Sequence, residues 1–410
     1  MNKEIKLEVY DSGFPLSDSN YNSLSIVDDY VYYTLCTHDI DVPARAYRVK
    51  IGSNKPELIG DLTELCGEAG VKRIPQGKSH TPFFKYDNKI WFATHCSFYG
   101  GTTEGGKENP APPPEGYLDY SGGRIISVDE NGKTEVVAKA PDGEGIITMT
   151  MDTDRGICFC LTWPRAMLLI YDVNAKKLVN AGKVALDGEI GAGDRYSCIC
   201  RIFAVEPTTG IAYFTLSNGE VYSTDKDGNV ALVDWCNLKR DMFGEFDPTR
   251  GGHQGYNWRY LVYNKTYKKF YGVMPKSGYL FSFDPVNKEF KLIERIASKV
   301  NLERGSFEDF RYGYMTLTKA PNNDDMLYYV SGYTANDGTP RLTAVTYSLS
   351  KNEYKDHGDI VLPNGEYPKN IQTLAVDDNG VWYCCPWIKT DKLDKKGETF
   401  YTSDLAKFTV

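Results

Sequence analysis

ITMTMDTDRGICFCLTWPRAMLLIYDVNAKKLVNAGKV, Ile147 to Val184, has a counterpart in RYLVYNKTYKKFYGVMPKSGYLFSFDPVNKEFKLIERI, Arg259 to Ile296. Each runs apolar strand, short polar turn, apolar strand, loop, aromatic strand ending in Asp, polar turn, last strand. The second half of this unit recurs as GRIISVDENGKTEVVAKA (123–140), GEVYSTDKDGNVALVDW (219–235) and AVTYSLSKNEYKDHGDI (344–360). Self-similarity at a fixed period is the signature of a repeat architecture. Seven units fit, with first strands beginning near Ser23, His80, Gly145, Cys200, Trp258, Tyr312 and Ile371. Their spacing of roughly 55 to 65 residues exceeds the about 40 to 50 of compact propeller repeats.

Four strands per unit and almost no helical periodicity predict an all-β, seven-bladed β-propeller. A four-stranded blade cannot bury both faces alone, so neighbouring blades must stack on it. One domain spanning 1–410 is the simplest organisation. The last unit, ending ETFYTSDLAKFTV, is short of an outer strand, and the N-terminal KEIKLEVYD reads like the fourth strand KEFKLIERI. The N-terminal strand is therefore expected to close the ring, which removes a free sheet edge. One segment breaks the rhythm: CSFYGGTTEGGKENPAPPPEGYLDYSGG, 96–123, between the second and third strands of the second unit. Its Gly and Pro content makes it a long loop, expected to act as a lid or wall, as long loops in compact domains often do.

The net charge of −8 argues against a nucleic-acid partner, which needs a basic footprint. It leaves room for an anionic small molecule held by a local cationic site. No run is long enough to span a membrane, and MNKEIKLEVYDSG has no apolar signal-peptide core. The ten cysteines lie mostly inside apolar strands, as in GICFCLTW and YSCICRIF, where they read as reduced, buried small hydrophobes. The expected setting is a reducing cytoplasm.

Histidine is rare, five in 410 residues, yet KSHTPFFKYDNKIWFATHC carries two at the ends of one predicted hairpin. In a propeller the loop leading into each first strand and the loop between second and third strands share one face. That rule gathers His38, His80, His95 and His253 on one face of the disc, with His357 in a turn leading out of the sixth unit. It also gathers Glu144, Arg195, Arg201, Asn257, Arg259, Arg311, Tyr312, Asn370 and Gln372. Phe98, Tyr99, Trp163 and Trp387 follow second strands and are expected to wall the mouth.

Imidazoles converging with a carboxylate suit a divalent metal ion. His80, His95, His253 and Glu144 are the candidate ligands, with Gln254 as an extra, for Mn, Zn, Ca or Mg. The same histidines can instead act as general base and acid. An arginine can hold a carboxylate bidentately and lower the pKa of a nearby tyrosine. His80, His95, Arg201, Arg259 and Tyr312 are the candidate catalytic residues. Phe98, Tyr99, Trp163, Asn257, Arg311 and Trp387 are the candidate substrate-binding residues. Together they describe β-elimination from a uronic acid or keto-sugar, with a small saccharide as substrate.

HTPFFKYDNKIWFATHCSFYGG resembles the paired-histidine hairpin of the propeller polysaccharide lyases of the ulvan lyase type. The architecture is similar to that of oligogalacturonate lyase, a cytoplasmic propeller with a histidine-bound metal. The resemblance covers one hairpin and the general architecture. It implies catalytic or metal-ligating roles for His80 and His95, and no Tyr or Arg of this chain is matched to those of the ulvan enzymes. Two other readings stand beside it. One is a metal-dependent lactonase or hydrolase using Glu144, Asn257 and Asn370. The other is a non-catalytic binding platform, since fold does not imply function.

Overall fold

The computed structural model describes residues 3–97, 102–103, 107–108, 112–240, 255–274, 278–296, 316–335, 337–395 and 397–410. Seven four-stranded antiparallel blades form a ring. The inner strands are Leu24–Val27, Phe84–Tyr86, Gly145–Asp152, Ala204–Val205, Tyr260–Asn264, Thr316–Thr318 and Ile371–Val376. Each described start falls within four residues of the position expected from the repeat, apart from the Tyr312 start, which lies outside the described residues.

The second strand of blade 3, Ile157–Trp163, shows why these strands read as unbroken apolar runs. Alternate side chains point to opposite faces, and both faces are buried. Cys158 and Cys160 pack toward blade 2 with Trp91 and Ile125. Phe159, Leu161 and Trp163 pack toward blade 4 with Phe203 and Phe214. Separate clusters fill the seams between blades 1 and 2, 5 and 6, 6 and 7, and 7 and 1. All ten cysteines are free thiols and nine are buried, so they serve as core filler.

The N-terminal stretch closes the ring. Glu8–Val9 pairs antiparallel with Ala406–Phe408 as the outer strand of blade 7. The structure adds a second role, because Glu4–Lys6 pairs parallel with the outer strand of blade 6, Glu4 facing Asp359 and Lys6 facing Val361. The stretch therefore staples two blades together, and Ile5 and Leu7 are buried between them.

The hairpin carrying the two histidines is built by a two-residue turn. Asp87 and Asn88 both have positive φ, 50° and 55°, the conformation that matches the twist of a tight hairpin and that Asp and Asn tolerate. The hairpin continues past its regular strands: Lys78 and His95 exchange backbone hydrogen bonds of 3.0 and 2.7 Å. That bridge carries Lys78 and His95 to the face of the disc where the 94–123 loop leaves. His357 departs from expectation. It lies within the outer strand Glu353–Val361 of blade 6, not in a turn, and its Nε2 bonds Thr346 Oγ1 at 2.8 Å.

Among the described residues no helix is long and apolar enough to cross a membrane.

Candidate functional site at the channel mouth

His80 and His95 meet edge to face, ring centroids 4.9 Å apart. Tyr21, from the loop leading into blade 1, stacks flat on His80 at 4.8 Å and 6°. Its ring lies under the Lys78 ammonium at 5.5 Å and edge-on to Trp387 at 6.4 Å. His95 rests edge-on against Trp163 at 5.5 Å. The Trp163 indole N–H donates to Glu189 Oε2 at 3.1 Å, and Arg201 donates to Glu189 Oε1 at 2.8 Å. A continuous chain of contacts thus runs from blade 1 through blade 2 to the loop leading into blade 4.

Arg201 and Arg259 line one cavity of about 260 Å³ in the central channel, with residues of the inner strands of blades 1, 5, 6 and 7. Arg201 is neutralised by Glu189, both buried. Arg259 is 4% exposed. Its Nε is buried and meets no acceptor, and among the described residues no carboxylate lies within ion-pairing distance of it. Its guanidinium lies 5.8 Å from the Tyr260 ring, whose hydroxyl donates across the channel to the Gln372 carbonyl at 2.7 Å.

The surroundings keep both histidines neutral. Burial pushes His80 well below the ordinary histidine value, and its coupling to His95 and the positive charges of Lys78, Arg201 and Arg259 push it further. Burial, then Lys78 and Arg201, do the same to His95. A chain of net charge −8 therefore holds, at Arg259, a buried positive charge with no carboxylate against it among the described residues. The space is close: a Cβ on Gly145 would stand 1.8 Å from His95 Nδ1, so only glycine at that position lets the ring sit there.

These shifts fix a pH dependence. The unfolded chain binds protons at ordinary histidine values near 6.5, while the folded protein resists them. Stability is therefore complete above that value and falls as pH drops from 6.5 toward the depressed folded values. His357, lowered to about 4 by burial, contributes in the same direction. Melting temperature measured between pH 7 and 5 should fall, and His95→Gln should flatten that slope. An unchanged slope would show that His95 is protonated in the folded protein.

The candidates divide as follows. Arg201 and Arg259 line the channel cavity, while His80, His95 and Trp387 are joined through the contacts of the Tyr21 and His80 rings. Trp163 is buried under His95 and does not wall the opening. Asn257 is internal: its Oδ1 accepts from Thr215 at 2.9 Å and its Nδ2 donates to the Cys198 carbonyl at 2.7 Å, bracing blade 4 against blade 5. Glu144 accepts from Thr162 Oγ1 at 2.5 Å and Arg165 Nη1 at 2.7 Å. Phe98, Tyr99, His253, Gln254, Arg311 and Tyr312 lie outside the described residues. Tyr21, Lys78 and Glu189 contact this cluster and were not among the residues expected from sequence. The rule that places loops leading into first strands on this face would have found Tyr21 in SNYNSLS and Lys78 in GKSH.

Among the described residues no group of three or more His, Cys, Asp and Glu stands ready for a metal ion. A divalent ion beside His80 and His95 would also meet the positive charges of Lys78 and Arg259. The described donors do not fit a divalent ion and do fit an anion.

No protein-family model matches the chain, and no curated protein matches it in sequence. Solved structures do match in shape. Oligogalacturonate lyase in complex with manganese shares 10% identity at a TM-score of 0.53, covering 100% of this chain and 97% of that one. The Cps50 (Swd1) β-propeller domain of Myceliophteria thermophila shares 7% at 0.53, covering 96% and 97%. A puromycin-hydrolyzing peptidase of Mycobacterium tuberculosis shares 10% at 0.51, covering 98% of this chain and 56% of that one. At such identities the likeness extends to the fold alone: the chain is a seven-bladed β-propeller.

Proposed function

We propose that the mouth binds a carboxylate-bearing saccharide and cleaves it by β-elimination next to the carboxylate. The observation that carries this reading is Arg259, a buried guanidinium in the channel with no carboxylate partner among the described residues. A buried charge without a partner is costly, and a bidentate carboxylate is the partner a guanidinium suits best. Neutralising the substrate carboxylate with Arg259 and Lys78 acidifies the adjacent C–H bond. The neutral imidazoles of His80 and His95 are the bases at hand, since a base must be unprotonated to act. Trp387, edge-on to Tyr21, supplies a flat face for a sugar ring. No step requires a metal ion. The lactonase reading loses its donors, because Glu144 and Asn257 are engaged within the fold and Asn370 Oδ1 accepts from the Ile371 amide at 2.8 Å.

The test is turnover of a panel of uronate oligosaccharides and keto-glycosides by chelator-treated protein, read as ultraviolet absorbance of the unsaturated product. His80→Gln and His95→Gln should each lower the rate about 10²–10⁴-fold, the usual span of a general acid–base group. No product from any member of the panel would overturn the lyase reading. Binding of glucuronate by calorimetry without turnover would then reduce the site to a receptor for sugar acids.

A further inference from the structure

The carboxylate, imidazole and phenol of Asp18, His38 and Tyr21 are in line. Asp18 Oδ1 lies 2.8 Å from His38 Nδ1, and Asp18 Oδ2 accepts the His38 backbone N–H at 2.7 Å. The other ring nitrogen, Nε2, lies 3.3 Å from the Tyr21 hydroxyl. The Tyr21 ring is the one stacked on His80. We infer that Tyr21 is the proton donor to the leaving oxygen, oriented and recharged by the His38–Asp18 pair. The inference rests on the elimination reading above.

Three features support it. The Asp18 carboxylate fixes a proton on Nδ1, which leaves Nε2 to exchange protons with the phenol. Burial pushes the Asp18 carboxyl up, but His38 and the hydrogen bonds from His38 and Ser19 outweigh it and hold the group below its ordinary value, hence ionised. The His38 side chain is 45% exposed, so it can refill from solvent, whereas His80 and His95 are buried. The site then has a dry base stacked on the face of one tyrosine ring and a solvent-reached imidazole at its hydroxyl. Lys78, His80 and His38 are the charged or titratable groups shown against Tyr21, and Asp18 is the one shown against His38. Asp39, next in sequence, is held by Lys395 at 2.7 Å.

The step balances. The C–H bond beside the carboxylate breaks and its proton goes to the neutral imidazole of His80 or His95. The freed electron pair forms the C=C bond, and the C–O pair departs with the leaving oxygen. That oxygen takes the Tyr21 proton, and His38 passes a proton taken from solvent back to Tyr21 through Nε2. Tyr21 is catalytic in this scheme, whereas His38 and Asp18 are positioning residues.

The experiment has two arms. Protein carrying ¹³C at tyrosine Cζ, with Tyr21 assigned by Tyr21→Phe, is titrated by NMR alongside the His38 ring. The Tyr21 signal should move with the His38 midpoint, and that movement should vanish in His38→Gln and weaken in Asp18→Asn. A Tyr21 signal indifferent to His38 would overturn the relay, whatever the substrate. In the second arm, His38→Ala should lower kcat about 100-fold with little change in KM, and added imidazole should restore much of it. Full activity in Tyr21→Phe, or loss in His38→Ala that imidazole leaves untouched, would also overturn the relay. Coupling by NMR without elimination from any substrate would leave the relay standing and remove the lyase reading.

Discussion

Arg259→Met is expected to abolish carboxylate binding and at the same time raise the melting temperature by about 3 °C. The two effects share one cause. In the ligand-free protein the Arg259 guanidinium is buried without a carboxylate among the described residues, in a channel that already holds Arg201 and lies beside Lys78 and His80. Removing such a charge recovers desolvation free energy and relieves repulsion, on the order of 2–3 kcal/mol after relaxation. At about 2.1 cal/mol/K of unfolding entropy per residue, a chain of 410 residues shifts by roughly 1 °C per kcal/mol. Methionine keeps the stem's packing without the charge. Glucuronate should stabilise the wild type by mass action and leave the variant unmoved, with affinity lower by about 100-fold or more. Scanning calorimetry with and without glucuronate reads both effects. A lower melting temperature in Arg259→Met would show that the guanidinium braces the channel, and the basis of the proposed function would go with it.

The parts of the molecule legible in sequence are those set by local pattern. Period-two alternation sorts Cys158 and Cys160 from Phe159 and Leu161 onto two blade seams. The Asp87–Asn88 turn marks the hairpin, and KEIKLEVYD betrays itself as a fourth strand. The paired histidines stood out because histidine is rare. Tyr21 did not, because it is one of 30 tyrosines and its role arises only when the loops leading into blades 1 and 2 come together. Glu144 looked free in PDGEGI because the group that claims it, Arg165, lies at the far end of the next strand. Glu189 sits in a short 3-10 turn, Gly188–Ile190, within the loop leading into blade 4, and its partners Trp163 and Arg201 are set by tertiary packing. A site assembled from several loops is spread over the sequence without spacing rules, which is why the arginines could be gathered on one face from sequence while their carboxylate partners, Glu189 for Arg201 and none for Arg259 among the described residues, had to come from the structure.

Deleting residues 1–9 should cost more than any single substitution in the site, on the order of 5–8 kcal/mol. Ile5 and Leu7, 4% and 2% exposed, are buried with Trp382, Phe408 and Ile360 in the seam between blades 6 and 7. Loss of each buried aliphatic side chain costs about 2–3 kcal/mol, and the lost ladder hydrogen bonds about 1 kcal/mol each at most. The sum is comparable to the whole stability of an ordinary domain. The deletion also bares the outer edges of Glu353–Val361 and Ala406–Phe408, which invites edge-to-edge pairing between molecules. Size-exclusion chromatography should show association, and thermal unfolding a large drop. Leu7→Ala, which keeps both strands, should lower the melting temperature by about 2–4 °C by the same entropy scale. The damage should reach the mouth before the ring unfolds. The seam between blades 7 and 1 packs Tyr10 and Phe14 against Leu24 and Tyr383, and the Tyr21–Trp387 contact lies across that same pair of blades. Loosening the closure therefore separates Trp387 from Tyr21 while His80 and His95, both carried by blade 2, stay together. A truncated protein that still melts like the wild type and keeps its glucuronate affinity would mean that blades 6 and 7 hold without their staple.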